Sequence, residues 1–147
     1  MKFLNKTATA TFARLIEELE YSGKSHRKIE NGSYMPLSVE IINQLDNGNK
    51  IVSLCHYGEM NGDLMADPEM NFLVFKTAVQ TYIVPLYYRN DYMRMEQTSI
   101  HPEKSDYTSY RINKRLQADH TNFANGWLKN IKEQGFLEKL QPLLAKW

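Results

Sequence analysis

The chain has 147 residues, of which 42% are hydrophobic and 24% are charged, and its formal net charge at pH 7 is +1. This length suits a single globular domain over residues 1–147. No apolar run approaches the ~20 residues of a membrane-spanning helix, and no signal-peptide stretch develops at the N-terminus, so we expect a cytoplasmic protein without membrane contact. Because Cys55 is the only cysteine, an internal disulfide and paired-thiolate zinc sites are excluded.

An amphipathic helix is predicted for residues 8–21. Phe12, Leu15 and Leu19 recur at helical spacing, while the other face of the segment carries charged side chains. Gly23 is expected to end the helix in a left-handed conformation, which glycine adopts at low cost.

From about residue 26 to residue 98 the sequence predicts a mainly antiparallel sheet of four to six strands. Leu37, Val39 and Ile41 alternate on one face, and the turn sequence "DNGN" connects them to the next strand, "KIVSLCHY". The runs "EMNFLVF", "TYIVPLYY" and "DYMRMEQ" have the aromatic and β-branched content of further strands. Pro85 argues against a fully central strand, because proline donates no ladder hydrogen bond.

After a polar connector the apolar period becomes helical, and a helix is predicted for residues 108–133. Phe123, Trp127 and Ile131 belong to its apolar stripe, Gly135 ends it, and a short final helix is predicted for residues 137–147.

This order of elements predicts an α+β fold in which the N-terminal helix and the C-terminal helices pack on one face of the sheet. The predicted core consists of apolar residues at the matching periods: Phe12, Leu15, Leu19, Val39, Ile41, Val52, Leu54, Phe72, Val74, Leu116, Phe123 and Trp127.

Polar and acidic residues are concentrated in "HYGEMNGDLMADPEMNF", residues 56–72, at a place where strand-like runs end and begin. We expect a binding surface there rather than an assigned catalytic group or metal ligand. The candidate binding residues are His56, Glu59, Asn61, Asp63, Asp67, Glu69, Arg89 and Asp91.

One hypothesis for this segment is a metal-dependent hydrolase or nuclease that uses the acidic loop, residues 59–69. Its carboxylates and Asn61 offer the oxygen ligands that Mg²⁺ and Ca²⁺ prefer, although their spacing is not that of an EF-hand. The structural alternative, which we favour, assigns the same residues to tight turns. In that case the carboxylates of Asp63 and Asp67 should accept hydrogen bonds from backbone amides.

Other chemistry has weaker support. Cys55 and His56 are adjacent, so on a strand they point to opposite faces and do not form a nucleophile–base pair. There is no G-x-S-x-G elbow, phosphate-binding glycine loop or dinucleotide fingerprint, so we expect no cofactor. Nucleic acid remains an alternative partner, bound through basic residues of the C-terminal helices: Arg111, Lys114, Arg115, Lys129 and Lys132.

The segments "HYGEMNGDLMADPEMNFLVF" and "PLYYRNDYMRMEQ" together resemble a small bacterial domain family of unknown function, found in gut bacteria and on phage or conjugative elements. In that family a His-Tyr pair leads into N-G-D-L-M, D-P-E-M and an aromatic-rich strand with an N-D-Y step. The resemblance covers residues 34–97 and implies relatedness without a mechanism. We therefore expect a non-enzymatic accessory or partner-binding module that binds a protein, with homo-oligomerisation as a further alternative.

Overall fold

The computed structural model describes residues 1–140 as an α+β fold, which confirms the predicted class. Its elements follow in chain order: α1 Lys6–Ser22, β1 His26–Asn31, β2 Tyr34–Gln44, β3 Lys50–Met60, β4 Asp63–Lys76, β5 Thr81–Asn90, β6 Met95–Thr98, β7 Ile100–Pro102, β8 Tyr110–Ile112, α2 Lys114–Glu133 and a 3₁₀ turn, Leu137–Lys139. Among the described residues, no helix is both long and apolar enough to cross a membrane.

The N-terminal helix α1 is fixed at both ends by local chemistry. The Asn5 side chain accepts a hydrogen bond from the Ala8 backbone amide at 2.8 Å, which satisfies a donor that the first helical turn leaves free. Gly23 ends the helix with φ of 72°, as its sequence position predicts. The predicted helix over residues 8–21 is thus confirmed and extended by a few residues.

The main sheet has six strands in the order β1-β2-β3-β4-β5-β6, and every neighbouring pair is antiparallel. Both helices pack on one face, where Phe12 of α1 meets Phe72 of β4 with ring centroids 5.0 Å apart. Most of the predicted core lies in this layer, fully buried. Three predicted core residues differ: Ile41 and Leu116 are half-buried and Phe123 is exposed.

Pro85 lies inside β5, which does have strands on both sides. The pairing register shifts beside it, where Phe72 pairs with Pro85 but the adjacent Asn71 pairs with Tyr87. The short neighbour β6 pairs only with residues from Tyr87 onward. Proline therefore lies beside an irregularity of the ladder, and such positions tolerate a residue that has no N–H donor.

The predicted helix over residues 108–133 is wrong at its beginning. Tyr110–Ile112 form β8, which pairs with β7, and α2 begins only at Lys114. Asn113 determines that start, because its side chain accepts a hydrogen bond from the Leu116 amide at 3.1 Å. The sequence "DYMRMEQ" was likewise predicted as one strand, but residues 91–94 form a turn before β6.

The buried face of α2 also differs from the predicted stripe. Phe123 is 42% exposed, whereas Gln117, His120 and Thr121 are buried. Each of the three has a hydrogen-bond partner: Gln117 bonds the backbone of Lys2 at 2.8 Å, His120 Nε2 lies 3.0 Å from the Gln97 side-chain oxygen, and Thr121 donates to the Gln117 carbonyl at 2.8 Å. The stripe was misassigned because polar residues were placed outside, although hydrogen-bonded polar groups can be buried at low cost.

A smaller core lies on the opposite face of the sheet. It joins apolar side chains of β3, β4 and β5 to Ile100 of β7, with Tyr107 and Ile112 packed against it. The segment 99–112 therefore covers part of this face, and neither α1 nor α2 packs on it. The short final helix predicted for residues 137–147 is seen only as the 3₁₀ turn, and residues 141–147 lie outside the described part.

Candidate functional site

The predicted acidic loop is a β-hairpin. Strand β3 runs to Met60 and β4 begins at Asp63, so only Asn61 and Gly62 form the turn. Both have positive φ, 54° and 84°, which is the backbone of the tight hairpin turn that an Asn-Gly pair favours. The loop interpretation was wrong because these polar residues continue the strands, where successive side chains point to opposite faces. Glu59, Asn61 and Asp63 lie exposed at this end of the hairpin.

His56 is a packed core residue beneath the helices. Its ring is 8% exposed and lies 5.6 Å from the ring of Trp127 and 5.5 Å from that of Phe136. Nδ1 donates a hydrogen bond to the Met35 carbonyl at 3.1 Å, since a carbonyl only accepts. Burial lowers the pKa of His56 below its usual value. The imidazole therefore packs between the hairpin strand β3 and the helical layer and is shielded from solvent.

Residues of the β5–β6 turn hold the hairpin in place. Asp91 donates its backbone N–H to the Ala66 carbonyl at 2.9 Å, and its carboxylate accepts the Ala66 amide at 2.8 Å. The Asn90 side chain donates to the Asp67 carboxylate at 2.8 Å. Asp63 and Asp67 were both predicted to accept backbone amides, and that prediction was wrong, because neither carboxylate does so among the described residues. The aspartate that accepts an amide here is Asp91, which lies 25 residues away in sequence from Ala66.

A second group of charges lies on the face of the sheet that the helices leave uncovered. Arg89 donates two hydrogen bonds to the Asp91 carboxylate, at 2.8 and 3.0 Å, and lies 3.7 Å from the Glu69 carboxylate. The hydrogen bonds from Arg89 and from the Ala66 amide lower the pKa of Asp91. Burial raises the pKa of Glu69, although the charge of Arg89 and the hydroxyl of Ser53 act in the opposite direction. We call Glu69, Arg89 and Asp91 the charged cluster.

Side chains beside the charged cluster are shielded from solvent. Burial raises the pKa of Cys55 to about 12 and that of Tyr57 to about 12. A thiol with so high a pKa is protonated at neutral pH, and the thiolate is the nucleophilic form. Cys55 is therefore suited to packing in the sheet and not to nucleophilic chemistry.

The eight candidate residues thus separate into distinct places. Glu59, Asn61 and Asp63 are exposed at the hairpin end, His56 is buried under the helices, and Asp67 is bound to Asn90 while the charged cluster occupies the other face. Within residues 1–140, no group of three or more His, Cys, Asp or Glu side chains is arranged to hold a metal ion.

Large apolar side chains are exposed at the same end of the sheet. Met35 and Tyr92 lie over Gly58, where a β-carbon would lie 3.3 Å from the Met35 sulfur and would collide with the Tyr92 hydroxyl. The Tyr92 hydroxyl also lies 3.5 Å from the Glu59 carbonyl, to which it donates. We call the exposed apolar side chains of this end the hairpin-end surface: Met35, Met60, Leu64, Tyr92 and Met93.

Sequence reasoning missed the hairpin-end surface because it treated the segment as a polar loop. A usable signal was present in the sequence "EMNGDL", in which Met60 and Leu64 flank a tight turn. Side chains at such a turn lie too far from the core to be buried in it. Tyr92 and Met93 carried no comparable signal, because their position over the hairpin depends on pairing between β4 and β5.

The basic residues of the C-terminal region are exposed but dispersed. Arg111 belongs to β8 and not to a helix, which corrects its predicted placement. Lys114 and Arg115 begin α2, while Lys129 and Lys132 lie near its end. At a rise of ~1.5 Å per residue, the two pairs are separated by roughly 20 Å along the helix axis, so they form no compact patch.

Comparisons with known proteins give a family but no mechanism. Searches of the curated proteins and of the solved structures found no significant match. A family model described as "Domain of unknown function (DUF6908)" matches residues 10–137, which include most of α1, the whole six-stranded sheet and α2. The match thus covers most of the chain, and the protein belongs to this family of unknown function.

Proposed function

We propose that the protein is a non-enzymatic module that binds a protein partner through the hairpin-end surface. The single observation that carries this proposal is the exposure of its apolar side chains, among them Leu64 at 64% and Met93 at 63%. Large apolar side chains exposed at one end of a fold, with a polar border, are typical of protein interaction sites.

The side-chain types of this surface favour recognition. Three of its five members are methionines, and the flexible, polarisable thioether adapts to the shape of a partner. Tyr92 offers a large ring with a polar end, as residues at interface centres often do.

The backbone beneath the surface is rigid, which lowers the entropic cost of binding. The carboxylate and backbone of Asp91 bond Ala66, and the Asn90 side chain bonds Asp67, so the turn that carries Tyr92 and Met93 is attached to the hairpin that carries Met60 and Leu64. The apolar side chains are therefore presented in a fixed arrangement.

The border of the surface is acidic. Glu59 and Asp63 are exposed beside it, while Arg89 is already neutralised by Asp91. A partner that fits would present an apolar depression surrounded by lysine or arginine, because complementary charge steers association and fixes orientation.

The resemblance of residues 34–97 extends the proposal to the setting. We propose that this single-domain protein acts in the bacterial cytoplasm and is encoded on a mobile genetic element. Its partner would be another protein encoded by the same element or by the host. The hydrolase or nuclease alternative is less favoured, because the carboxylates of residues 59–69 diverge. Binding of nucleic acid by α2 is less favoured, because its basic residues are dispersed.

An affinity purification from the native host tests the proposal. The bait carries Leu64→Ser and Met93→Ser, and the matched control carries Val79→Ser, since Val79 is 91% exposed but lies in the distant β4–β5 turn. We expect the wild type and the control to retain the same specific protein after nuclease treatment and the double variant to lose it. The captured partner, once purified, should then bind the wild type directly, with an affinity at least tenfold higher than its affinity for the double variant.

Other outcomes identify the alternatives. Capture that disappears after nuclease treatment would favour nucleic acid. Sedimentation that shows a wild-type dimer and a monomeric double variant would make the partner a second copy of the chain. Equal capture by all baits would reject the hairpin-end surface.

A further inference from the structure

A cavity of about 520 Å³ lies on the helix-free face, between the sheet and the segment 99–112. Its walls combine apolar side chains, two aromatic rings and a few polar side chains, among them Ile51, Leu86, Ile100, Tyr87, Tyr107 and Asn71. This volume is within the range of small-molecule sites, which are mostly apolar with a few fixed polar groups. The cavity lies apart from the hairpin-end surface and does not depend on the function proposed for it.

The Asn71 amide is the polar group of this cavity that lacks a partner. Its Oδ1 atom is buried and accepts no hydrogen bond from the described residues. Leaving a buried acceptor unpaired costs about 1–3 kcal/mol, so such groups are rare in folded proteins unless a ligand or water completes them. In this structure the protein covers the oxygen, so an occupant would reach it only after the amide rotates toward the cavity. No hydrogen bond holds the oxygen in its present position, and the rotated amide would present both its oxygen and its NH₂ group.

The aromatic walls are held in place. The Tyr87 hydroxyl donates to the Glu96 carboxylate at 2.8 Å. Tyr107 has φ of 63°, a left-handed conformation that is uncommon for a residue with a large side chain. Hydrogen bonds of the surrounding loop maintain it, since the amides of Glu103 and Lys104 both donate to the Ser109 carbonyl, at 2.8 and 3.1 Å. Backbone held in so costly a conformation is enriched at ligand sites.

Charge restricts the ligand. The lining residues found within the described chain include no Lys, Arg, Asp or Glu, so the cavity offers no ion pair to a charged group. A charged group that loses water against an apolar wall and gains no partner is disfavoured. The part of the occupant that contacts the cavity wall should therefore be uncharged.

We propose that this cavity binds an uncharged, planar heteroaromatic molecule whose edge carries an N–H donor beside a ring-nitrogen acceptor. The donor would bond the Asn71 oxygen and the acceptor its NH₂ group, the paired contact that an asparagine side chain makes with the edge of adenine. Tyr87, Tyr107 and the aliphatic side chains of the wall would contact the ring.

Two neutral probes with the same purine ring test the proposal by calorimetric titration of the full chain. The probe 9-methyladenine has the donor and the acceptor, whereas 9-methylpurine lacks the amino donor and adds no bulk at that edge. We expect saturable binding of the first, and at least about tenfold weaker binding of the second, because a lost hydrogen bond and an unpaired acceptor together amount to about that factor.

A variant of the amide separates recognition from folding. Asn71→Leu keeps the number and branching of the side-chain heavy atoms but removes both hydrogen-bonding groups. It should therefore bind 9-methyladenine at least about tenfold more weakly, while its thermal midpoint stays equal or rises because an unpaired buried acceptor is removed. The matched control is Asn43→Leu, the same change at an exposed position of the lining, which should alter the affinity less than twofold.

Each contrary result overturns the proposal. These are the absence of saturable binding of 9-methyladenine by the wild type, equal binding of the two probes, and an unchanged affinity in Asn71→Leu. If Asn71→Leu does not fold, the comparison of the two probes on the wild type decides alone.

Discussion

The two faces of the six-stranded sheet serve different purposes although the same strands build them. The helix-covered face buries Phe72, Leu54 and Met70 completely against α1 and α2. The opposite face carries the charged cluster and the cavity, and within residues 1–140 the segment 99–112 and the ring of Phe3 cover parts of it. Because side chains alternate along a strand, stability and recognition can be separated within a few residues. Substitutions on the helix-covered face should therefore change mainly the stability of the fold, and those on the opposite face should change it less.

The largest expected effect comes from a comparison of two phenylalanines of β4 that lie on opposite faces of the sheet. Phe72 is fully buried beside Phe12, so Phe72→Ala should lower the free energy of unfolding by about 3–5 kcal/mol. Phe75 belongs to the opposite face, is half-buried and stacks on Tyr82 at 5.0 Å, so Phe75→Ala should cost roughly 1–2 kcal/mol. Urea denaturation measures both values. Equal costs would mean that the two faces contribute alike to stability.

An intermediate effect concerns pH and the helix-covered face. Burial lowers the pKa of both His56 and His120, so the unfolded chain binds protons more readily than the folded one below about pH 6.5. Stability should be complete above that pH and fall as the pH decreases toward the folded-state pKa values, by up to ~1.4 kcal/mol per pH unit for each histidine.

A variant without an ionisable side chain at position 56 tests whether His56 contributes to the pH dependence of stability. His56→Asn keeps a donor toward the Met35 carbonyl but has no ionisable ring, so it should reduce the slope of stability against pH between 7 and 5. Urea melts at several pH values measure the slope. An unchanged slope would show that His56 does not contribute to acid sensitivity.

The smallest expected effect lies in the charged cluster of the open face. Glu69→Gln removes a half-buried carboxylate whose pKa burial raises, and Arg89 retains its two bonds to Asp91. The free energy of unfolding at pH 7 should therefore change by less than about 1 kcal/mol, as for other partly exposed ion pairs. Thermal melts in low and moderate salt measure it.

Asp91 is the matched comparison within the same cluster. Asp91→Ala removes the acceptor of the Ala66 amide as well as the partner of Arg89, so it should cost about 1–2 kcal/mol, similar to the loss of a helix cap. A larger cost for Glu69→Gln than for Asp91→Ala would contradict this division of roles.

Local chemistry in the sequence determined much of the fold. The period of Phe12, Leu15 and Leu19 identified α1, Gly23 its end, and alternation with turn residues the antiparallel sheet. The Asn61-Gly62 turn was also readable, because positive φ at successive residues has a strong residue preference. These features depend on residues that are close in sequence.

Only the tertiary structure decided the features that depend on distant partners. Strand β8 exists because Ile112 pairs with Ile100, although the sequence around it favours a helix start. Gln117 faces the core because Lys2, 115 residues away, satisfies its amide, and Asp91 replaces Asp67 as the acceptor of a backbone amide because β4 and β5 bring it to Ala66. A buried polar group is tolerated only where another element supplies its hydrogen bond, and a single sequence does not specify which element that is.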